Sequence, residues 1–335
     1  MKIGVIGAGS WGTALSVLLE RKGMEVTVTG RNRDHLKAMK KERENRKYLP
    51  GVTLGEGISF VYTMEEAVKD AEIVMFSVPA QTFRENFSKC LPYLAGDAVI
   101  VNVAKGIEQG SLKRLSEIAL ELKPGVKYAV LSGPSHAEEV GKMLPTTVTV
   151  ASEDEDVAKK VQEVFMTDRF RVYTNRDVIG TELGGALKNI MALGAGISDG
   201  YGFGDNAKAA LMTRGLAEIT RLGLAMGAKA ETFAGLAGIG DLIVTCTSMH
   251  SRNRRCGILI GNGIKPAEAV KEIGMVVEGI YTASAAGALA DKYGVEMPIT
   301  ETLNLCIEEK ITAADAITRL MGRSPKSEGH ESYGM

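Results

Sequence analysis

The first twelve residues place a short apolar strand directly before a glycine-rich turn and the beginning of a helix. Residues 2–6 read KIGVI, and residues 7–12 read GAGSWG, which has the spacing G-x-G-x-x-G. Gly7 permits a tight turn, Gly9 lets the backbone approach a pyrophosphate, and Gly12 lets the helix pack closely on the strand. The N–H groups at the helix N-terminus favour bound phosphate. The sequence therefore predicts a dinucleotide site, with an ordinary glycine turn as the alternative.

Composition and charge exclude several classes of protein. The chain has 335 residues, which is enough for about two domains. Its net charge of −1 gives no general attraction to nucleic acid or to anionic membranes. The longest apolar stretches are too short, or too interrupted by polar residues, for an integral membrane segment. Met1 leads straight into the predicted strand, so we expect no signal peptide and a cytoplasmic protein.

The four cysteines give no sign of a metal site or of disulfide bonds. Cys90, Cys246, Cys256 and Cys306 are scattered, without the C-x-x-C spacing that is typical of metal sites. We therefore predict no bound metal and four buried, unreactive thiols, which agrees with a reducing compartment.

The N-terminal half alternates strands with helices. Apolar runs and helical periodicity predict strands at Glu25–Thr29, Ala71–Val78, Ala98–Val103 and Tyr128–Leu131, and a helix at Ser111–Leu122. Strands that alternate with helices form a doubly wound parallel sheet, the Rossmann-type α/β fold. Such a sheet binds ligands beyond the carboxyl ends of its strands. We assign residues 1–178 to a dinucleotide-binding domain of this kind.

The pattern changes near residue 175 to long helices with almost no strand. The clearest helical segments are Glu182–Ile197, Ala207–Met226, Ile280–Tyr293 and Ala313–Met321. We therefore predict an all-helical substrate and catalytic domain at residues 179–322. Residues 323–335 contain Ser, Pro, Gly, Lys, Glu and His, a composition that predicts a disordered tail.

The end of the second predicted strand bears on which dinucleotide would bind. A fold that selects NAD usually carries Asp or Glu there, which holds the ribose 2′-hydroxyl. Here residues 29–33 read TGRNR, with no acid. Arginine can pair with a 2′-phosphate, so Arg31 and Arg33 favour NADP(H), and NAD(H) stays as the alternative. Asp34, the nearest acid, is better explained as the N-cap of the next helix.

Residues 181–196 combine helical periodicity with four glycines and a single lysine. Gly184, Lys188, Ala192 and Gly196 share one face at a spacing of four, so another element can approach that face closely. Lys188 is the only cation in this apolar window, and a buried charge needs a partner. Burial can lower the pKa of a lysine enough for proton transfer. We interpret Lys188 as a functional residue, with a lysine that reaches solvent at a helix edge as the alternative.

Three other segments carry side chains suited to binding or catalysis. Lys105 follows a predicted strand, at the end where parallel sheets bind ligands. Ser135 and Glu138 have the S-x-x-E spacing of a capping box, which places a helix N-terminus there. Residues 251–255 read SRNRR, and their guanidinium and amide groups suit a phosphate dianion. The simpler explanations are a surface lysine, a helix cap and a solvated basic loop.

Taken together, these motifs resemble the NAD(P)-dependent glycerol-3-phosphate dehydrogenase family. The motifs that carry the resemblance are the glycine loop, residues 132–138 (SGPSHAE), residues 182–197, residues 238–242 (GIGDL) and residues 251–254 (SRNR). The resemblance runs in order from residue 1 to residue 320. It implies reversible, NAD(P)H-dependent reduction of dihydroxyacetone phosphate to sn-glycerol 3-phosphate, which feeds glycerophospholipid synthesis in bacteria. The chain departs from the eukaryotic members of the family at residues 246–250, a stretch that is longer here and compatible with the bacterial members. The alignment of Ser251 with the family motif depends on this stretch.

The resemblance also implies roles for individual residues. Lys188 would give or take the proton at C2, and Asn189, Lys105 and Asp241 would complete the catalytic set. The implied substrate-binding residues are Lys105, Gly133, Ser135, Lys188, Asp241, Thr245, Ser251, Arg252 and Asn253. The implied cofactor-binding residues are Gly7, Gly9, Ser10, Trp11, Gly12, Arg31, Arg33, Lys105, Ala137, Arg252, Val276 and Glu278.

Other functions are weighed against this one. A dehydrogenase of 3-hydroxy acids would also join a nucleotide domain to a helical domain with a lysine, but it would not need the arginine-rich segment. A nucleotide sensor without turnover would not need Lys188. Nucleic-acid binding through residues 251–255 is disfavoured by the net charge and by the absence of interleaved aromatic residues. No pattern decides the oligomeric state, and a homodimer is left open.

Overall fold

The computed structural model describes residues 1–325, 327 and 328. The chain forms two compact units. Unit 1 comprises Met1–Ala104 and Leu115–Val178, and unit 2 comprises Lys105–Arg114 and the chain from Ile179 onward. The segment Lys105–Arg114 thus belongs to unit 2, although it lies within the predicted first domain in sequence. Of the tail predicted to be disordered, residue 326 and residues 329–335 lie outside the described residues.

Unit 1 is built on an eight-stranded sheet. In chain order the strands of unit 1 are β1 (Lys2–Ile6), β2 (Glu25–Thr29), β3 (Glu44–Asn45), β4 (Leu49–Thr53), β5 (Ile58–Phe60), β6 (Ile73–Phe76), β7 (Val99–Asn102), β8 (Lys127–Ser132), β9 (Thr146–Ala151) and β10 (Phe170–Asn175). Two of these strands, β3 and β4, form a separate hairpin. The order in the large sheet is β10-β9-β8-β7-β6-β1-β2-β5. Every neighbouring pair is parallel except β8 and β9. The predicted doubly wound fold is therefore confirmed, with one antiparallel pair that was not predicted.

Seven helices of unit 1 connect the strands in the described part of the chain. They are α1 (Ser10–Arg21), α2 (Arg33–Glu42), α3 (Met64–Val68), α4 (Phe83–Cys90), α5 (Leu115–Leu122), α6 (Ala137–Gly141) and α7 (Glu155–Phe165). The central strands β6 and β7 are buried at every residue, as expected for parallel strands that are covered on both faces. This burial explains why their sequences, IVMF and VIVN, are continuous apolar runs rather than alternating ones.

Two predicted helix beginnings in unit 1 are wrong. The helix predicted from Ser111 begins at Leu115, because Leu112 has a positive φ of 59° that is incompatible with a helix. The N-cap of α2 is Asn32 rather than Asp34, since the Asn32 side chain accepts the N–H of His35. Asp34 lies in the first turn instead, where an acid interacts favourably with the helix dipole.

The predicted capping box at Ser135 is also wrong. Helix α6 begins at Ala137, and its N-cap, His136, makes no side-chain capping bond. The Ser135 hydroxyl donates instead to the carbonyl of Gly133, at 2.8 Å. Ser135 therefore tightens the turn after β8 and does not cap the helix.

Unit 2 is all-helical in its described residues apart from the segment Lys105–Arg114. Its helices are α8 (Val178–Tyr201), α9 (Asp205–Ala225), α10 (Ala230–Phe233), α11 (Asp241–Thr247), α12 (Arg252–Gly261), α13 (Pro266–Ile273), α14 (Glu278–Tyr293), α15 (Pro298–Ile307) and α16 (Ala313–Met321). The long helix α8 passes through the middle of the apolar core, and its central residues are all buried. The four predicted helices after residue 175 are confirmed.

The glycine face of α8 lets other backbone segments approach closely, as the sequence predicts. A Cβ atom at Gly184 would overlap the carbonyl of Ala237, and one at Gly196 would overlap the carbonyl of Arg254. Helix α12 carries the Arg254 carbonyl, and helix α11 follows Ala237 in the chain. The backbone at both places can therefore pack directly against α8. This packing brings side chains of α11 and α12 close to α8.

Two further expectations concern membranes and thiols. In the described residues no single helix is both long and apolar enough to cross a membrane, and only the bent pair Ala230–Thr247 and Arg252–Gly261 meets those criteria jointly. All four cysteines are unpaired and buried, and burial raises the pKa of each thiol. The prediction that the four thiols are buried is thus confirmed, and their raised pKa values favour the protonated thiol over the reactive thiolate.

Candidate active site

The glycine loop between β1 and α1 has the geometry that a dinucleotide site requires. Gly7 has a φ of +116°, and a Cβ atom on it would overlap the carbonyl of Ser77. A Cβ atom on Gly12 would overlap the carbonyl of Gly7, whereas one on Gly9 would meet no atom within 4 Å. Two glycines are therefore needed for packing, and the backbone of the third is open to a ligand.

The N-terminus of α1 is suited to a bound anion. Its N-cap, Gly9, makes no side-chain capping bond, and the first turn contains no acidic residue. The first N–H groups of a helix have no partner within the helix, and together they carry a partial positive charge. The loop and this helix end therefore fit the pyrophosphate of a dinucleotide.

The other predicted cofactor residues of unit 1 lie near the carboxyl ends of its parallel strands. Ser10 and Trp11 form the first turn of α1, and the indole Nε1 of Trp11 is buried without a partner among the described residues. Arg31 and Arg33 follow β2, and both are exposed. Ala137 begins α6, after β8, and is buried. Because β1, β2 and β8 run in the same direction, their carboxyl ends lie at one edge of the sheet.

The turn after β8 holds the two substrate residues that the resemblance places in unit 1. Gly133 has a φ of +139°, a conformation that L side chains rarely adopt. Ser135 is partly buried and donates its hydroxyl proton to Gly133 within the same turn. Both residues therefore have a fixed local geometry.

In unit 2, one buried carboxylate joins two lysines. The Lys105 Nζ lies 2.6 Å from Oδ2 of Asp241, and the Lys188 Nζ lies 2.9 Å from Oδ1 of the same residue. Lys188 also donates to the Thr245 hydroxyl at 2.5 Å, and that hydroxyl donates to the carbonyl of Asp241 at 2.6 Å. Lys188 is 6% exposed and Asp241 is 1% exposed, so the alternative in which Lys188 reaches solvent is excluded.

The position of each of these side chains follows from the local fold. Lys188 lies one turn after Gly184 on α8, where the backbone of residues 237–238 approaches closely. Asp241 begins α11 directly after a π-helical turn at Leu236–Gly240, and Thr245 follows one turn later on the same face. The glycine-rich sequence GIGDL thus lets the carboxylate reach the lysine on α8.

The charges in this cluster do not cancel. Burial lowers the pKa of the Lys105 ammonium to about 8, against the opposing attraction of Asp241. Burial also disfavours the Asp241 carboxylate, but the two lysines more than offset this effect and hold the pKa of that carboxyl below its usual range. With both lysines protonated, the three groups carry one net positive charge in a buried site. Such a site favours an anionic ligand and can stabilise a developing oxyanion.

Asn189 and Asn253 connect three helices beside this cluster. The Asn253 amide donates to the Asn189 Oδ1 at 2.9 Å, and its own Oδ1 accepts the N–H of Gly279 at 2.8 Å. The Asn189 amide contacts the carbonyl of Lys105 at 3.4 Å. The Asn253 side chain is therefore engaged within the protein. Its backbone N–H lies in the first turn of α12, where N–H groups have no partner within the helix.

The structure distinguishes the three arginines at residues 252–255. Ser251 caps α12 by accepting the N–H of Arg254. The Arg254 guanidinium donates to Oδ2 of Asp199 through Nε at 2.8 Å and Nη2 at 2.6 Å, so it is used within the fold. Arg252 is the first residue of α12 and is partly exposed, and Arg255 is exposed. The solvated-loop alternative is excluded because this segment is a capped helix N-terminus.

Asp199 is a residue that sequence reasoning missed. It lies at the end of α8, 55 positions before Arg254, and it also pairs with Lys208 at 2.7 Å. Ion pairs over such separations leave no local sequence signal.

The last two predicted cofactor residues lie before and at the beginning of α14, where Val276 is exposed and Glu278 is partly buried.

Comparison with known proteins agrees with this arrangement. Residues 2–158 match the N-terminal domain of NAD-dependent glycerol-3-phosphate dehydrogenase, and residues 177–318 match its C-terminal domain. A protein of Pelotomaculum thermopropionicum named glycerol-3-phosphate dehydrogenase [NAD(P)+] is 54% identical over 333 residues, which cover 98% of this chain and 95% of that protein.

Solved structures give the same result. The glycerol-3-phosphate dehydrogenase of Coxiella burnetii is 40% identical and superposes with a TM-score of 0.93, covering 96% of this chain and 99% of that one. A ketopantoate reductase from Ralstonia eutropha, 16% identical with a TM-score of 0.61, covers 95% of this chain and 100% of that one and shares the fold alone. The chain therefore belongs to the NAD-dependent glycerol-3-phosphate dehydrogenase family.

Proposed function

We propose that the protein catalyses the reversible reduction of dihydroxyacetone phosphate to sn-glycerol 3-phosphate with NAD(P)H. Its curated relatives are named for this activity. The observation that carries the proposal is the buried Lys105–Asp241–Lys188 cluster, in a chain whose N-terminal unit has the glycine loop of a dinucleotide site. A buried cationic cluster supplies both a proton donor and a counter-charge for a reduced ketone.

The residues of unit 2 supply the acid–base part of the reaction. When bound, a reduced nicotinamide dinucleotide supplies the hydride that adds to C2 of the ketone. The Lys188 ammonium gives its proton to the oxygen on C2, and it takes that proton back in the reverse reaction. Asp241 and Thr245 hold the Lys188 Nζ from two sides. These two contacts restrict the positions of the ammonium, and they leave its third proton for the oxygen on C2. General acid–base catalysis of this kind contributes about 10²- to 10⁴-fold.

The substrate phosphate is assigned to the N-terminus of α12. Arg252 offers a guanidinium that can bind a phosphate bidentately, and the first N–H groups of the helix have no partner within the helix. Ser251 completes this set. Gly133, Ser135, Lys105 and Asn189 are assigned to the rest of the substrate by family resemblance.

The cofactor is assigned mainly to unit 1. The glycine loop and the N-terminus of α1 fit the pyrophosphate, and Arg31 and Arg33 are available to a 2′-phosphate, which favours NADP(H). The remaining cofactor residues assigned by resemblance are Ser10, Trp11, Lys105, Ala137, Arg252, Val276 and Glu278. We also assign the enzyme to the cytoplasm, as a source of glycerol phosphate for phospholipid synthesis.

Steady-state oxidation of NADPH and NADH by the purified protein tests this proposal. Dihydroxyacetone phosphate should support oxidation, and 3-oxo acids should not. Oxidation with a 3-oxo acid but not with dihydroxyacetone phosphate would assign the protein to the hydroxy-acid dehydrogenases instead. Tight NADPH binding without oxidation of either cofactor would indicate a nucleotide sensor.

A further inference from the structure

The segment Lys105–Arg114 is fastened to unit 2 at both of its ends. At its beginning, the Lys105 ammonium pairs with Asp241, and the Lys105 carbonyl accepts from the Asn189 amide. At its end, Nη1 of Arg114 pairs with Oε2 of Glu182 at 3.0 Å. We refer to Lys105–Arg114 as the strap, because it is a loop held along its length by helices of this unit.

The pair at the end of the strap is buried. The side chain of Arg114 is 12% exposed and that of Glu182 is 5% exposed. Glu182 lies on α8, six residues before Lys188, which corresponds to about 9 Å along the helix axis. The same helix therefore carries the anchor of the strap and the lysine assigned to proton transfer.

The middle of the strap is also fixed. Ile107 is fully buried in the apolar core of unit 2. The N–H of Glu108 donates to the carbonyl of Lys113 at 3.0 Å, which closes the strap as a loop. The Gln109 side chain contacts the carbonyl of Tyr281 on α14 at 3.4 Å. The strap is thus a compact loop that packs on the core of unit 2 through Ile107, rather than a flexible connection.

These contacts determine where the Lys105 ammonium lies. A lysine has four rotatable bonds, and alone it would sample many positions. Here its backbone is held on α8 through Asn189 and, at the far end of the loop, through the Arg114–Glu182 pair. The pair costs desolvation energy, and buried ion pairs are often no more stabilising than apolar groups of the same size. A role in fixing geometry explains its presence better than a role in stability.

We propose that Arg114 and Glu182 are positioning residues that hold the strap so that Lys105 stays paired with Asp241 beside Lys188. The proposal deepens the function proposed above and rests on it. Glu182 acts on the strap by pairing with Arg114, and Arg114 acts on Lys105 through the strap. Loss of either anchor should let Lys105 leave Asp241, which would remove the buried counter-charge on one side of that carboxylate.

The test compares Arg114→Met, which removes the charge, with Arg114→Lys, which keeps the charge but offers fewer donors. Glu182→Gln tests the pair from its other side. Arg84→Met is the matched control, because Arg84 makes a 2.9 Å pair with Glu121 between α4 and α5, two helices of unit 1 that carry no residue assigned to the site. Thermal melting establishes that each variant is folded.

Two readouts separate positioning from general damage. The first is kcat with dihydroxyacetone phosphate, which should fall about 10- to 100-fold in Arg114→Met and Glu182→Gln, since a displacement of about 1 Å can cost that much. In Arg114→Lys the loss should be smaller, and in Arg84→Met it should be absent. The dissociation constant of NADPH should stay unchanged in Arg84→Met, whereas it should rise in Arg114→Met and Glu182→Gln, because Lys105 is also assigned to the cofactor.

The second readout does not depend on activity. Competitive acetylation of amines, followed by peptide mass mapping, measures how reactive Lys105 is across pH. In the wild type Lys105 should react slowly and titrate near pH 8. In Arg114→Met its pKa should be higher, because the ammonium becomes solvated, and at a pH above that pKa, where the amine is deprotonated, it should react several-fold faster than in the wild type because it is accessible.

The outcomes distinguish this proposal from the proposed function. Unchanged Lys105 reactivity and unchanged kcat in folded Arg114→Met would overturn the positioning role. If the wild type does not reduce dihydroxyacetone phosphate, the proposed function fails, yet the acetylation experiment still decides whether the strap holds Lys105. If Arg114→Met does not fold, Glu182→Gln and Arg114→Lys give the same two readouts.

Discussion

Replacement of Asp241 by asparagine should destabilise unit 2 strongly. The Asp241 carboxylate is 1% exposed and lies 2.6 Å and 2.9 Å from two ammonium groups. Asparagine keeps the shape, but it removes the negative charge and turns one oxygen into an N–H donor that faces a lysine. Breaking a buried ion pair costs about 3–5 kcal/mol. Both pairs share one carboxylate and Lys105 is partly solvated, so we expect about this value rather than twice it.

The assay is urea and thermal unfolding of Asp241→Asn and of a matched control. Each kcal/mol corresponds to about 2–4 °C in Tm for a unit of this size, so Tm should fall by about 6–20 °C. The control is Glu301→Gln, which removes an exposed pair with Arg319 and should cost less than about 1 kcal/mol.

The pH dependence of the Asp241→Asn deficit provides a second check. Removal of Asp241 takes away an attraction that opposes the effect of burial on the pKa of Lys105, so folded Lys105 should lose its proton below pH 8. Between that lower pKa and pH 8, the folded variant binds fewer protons than the folded wild type, so its stability rises more steeply with pH. The deficit should therefore narrow as pH rises toward 8. A free energy of unfolding within about 1 kcal/mol of the wild type at every pH would refute the reasoning about buried charge.

Three other predictions concern the phosphate, the cofactor and a buried acid. Arg252→Ala should raise KM for dihydroxyacetone phosphate about 10- to 100-fold, the effect of losing a charge-assisted hydrogen bond, and change KM much less for an unphosphorylated ketose; equal effects on both would remove the phosphate assignment. Fluorescence titration should show tighter binding of NADPH than of NADH, and the preference should disappear when Arg31 and Arg33 are replaced by alanine; a preference for NADH in the wild type would contradict this assignment. Burial raises the pKa of Glu218 to about 7 from 4.5, against opposing backbone hydrogen bonds, so its contribution to stability is complete below pH 4.5 and is lost as pH rises through 7. Urea unfolding should therefore show the wild type losing stability relative to Glu218→Gln across that window, and a pH-independent difference would disprove it.

Local sequence patterns predicted the parts of the fold that depend on local physics. The period of apolar residues identified the strands and the long helices, because burial on one or both faces imposes that period. The four-residue spacing from Gly184 to Gly196 predicted a close approach to α8, since only glycine leaves room for another backbone there.

Contacts between distant segments could not be predicted in this way. The Lys105–Asp241 pair joins residues 136 positions apart, and the Arg114–Glu182 pair joins residues 68 positions apart. Neither separation leaves a periodic signal. Sequence reasoning also treated Ser135 and Glu138 as a capping box, because spacing alone cannot show whether the serine donates to a nearby carbonyl instead.

Residues 251–255 show what a local sequence pattern can predict and which long-range contacts it cannot. The sequence indicated a cationic segment suited to phosphate, but it could not distinguish the arginines. The structure shows Arg254 held by Asp199 and Ser251 as a helix cap, and it places Arg252 in the first turn of that helix, where we assign the phosphate. A carboxylate on a helix distant in sequence thus holds one of three similar arginines within the fold, and the local sequence cannot show which one.

The central claim, that Lys188 transfers the proton at C2, is tested most directly by the turnover of Lys188→Ala with NADPH and dihydroxyacetone phosphate. We predict that kcat falls by about 10²- to 10⁴-fold, while the dissociation constant of NADPH stays within about twofold. Lys271→Ala, which removes an exposed lysine of α13, is the control and should match the wild type. Turnover of folded Lys188→Ala at the wild-type rate would contradict the account.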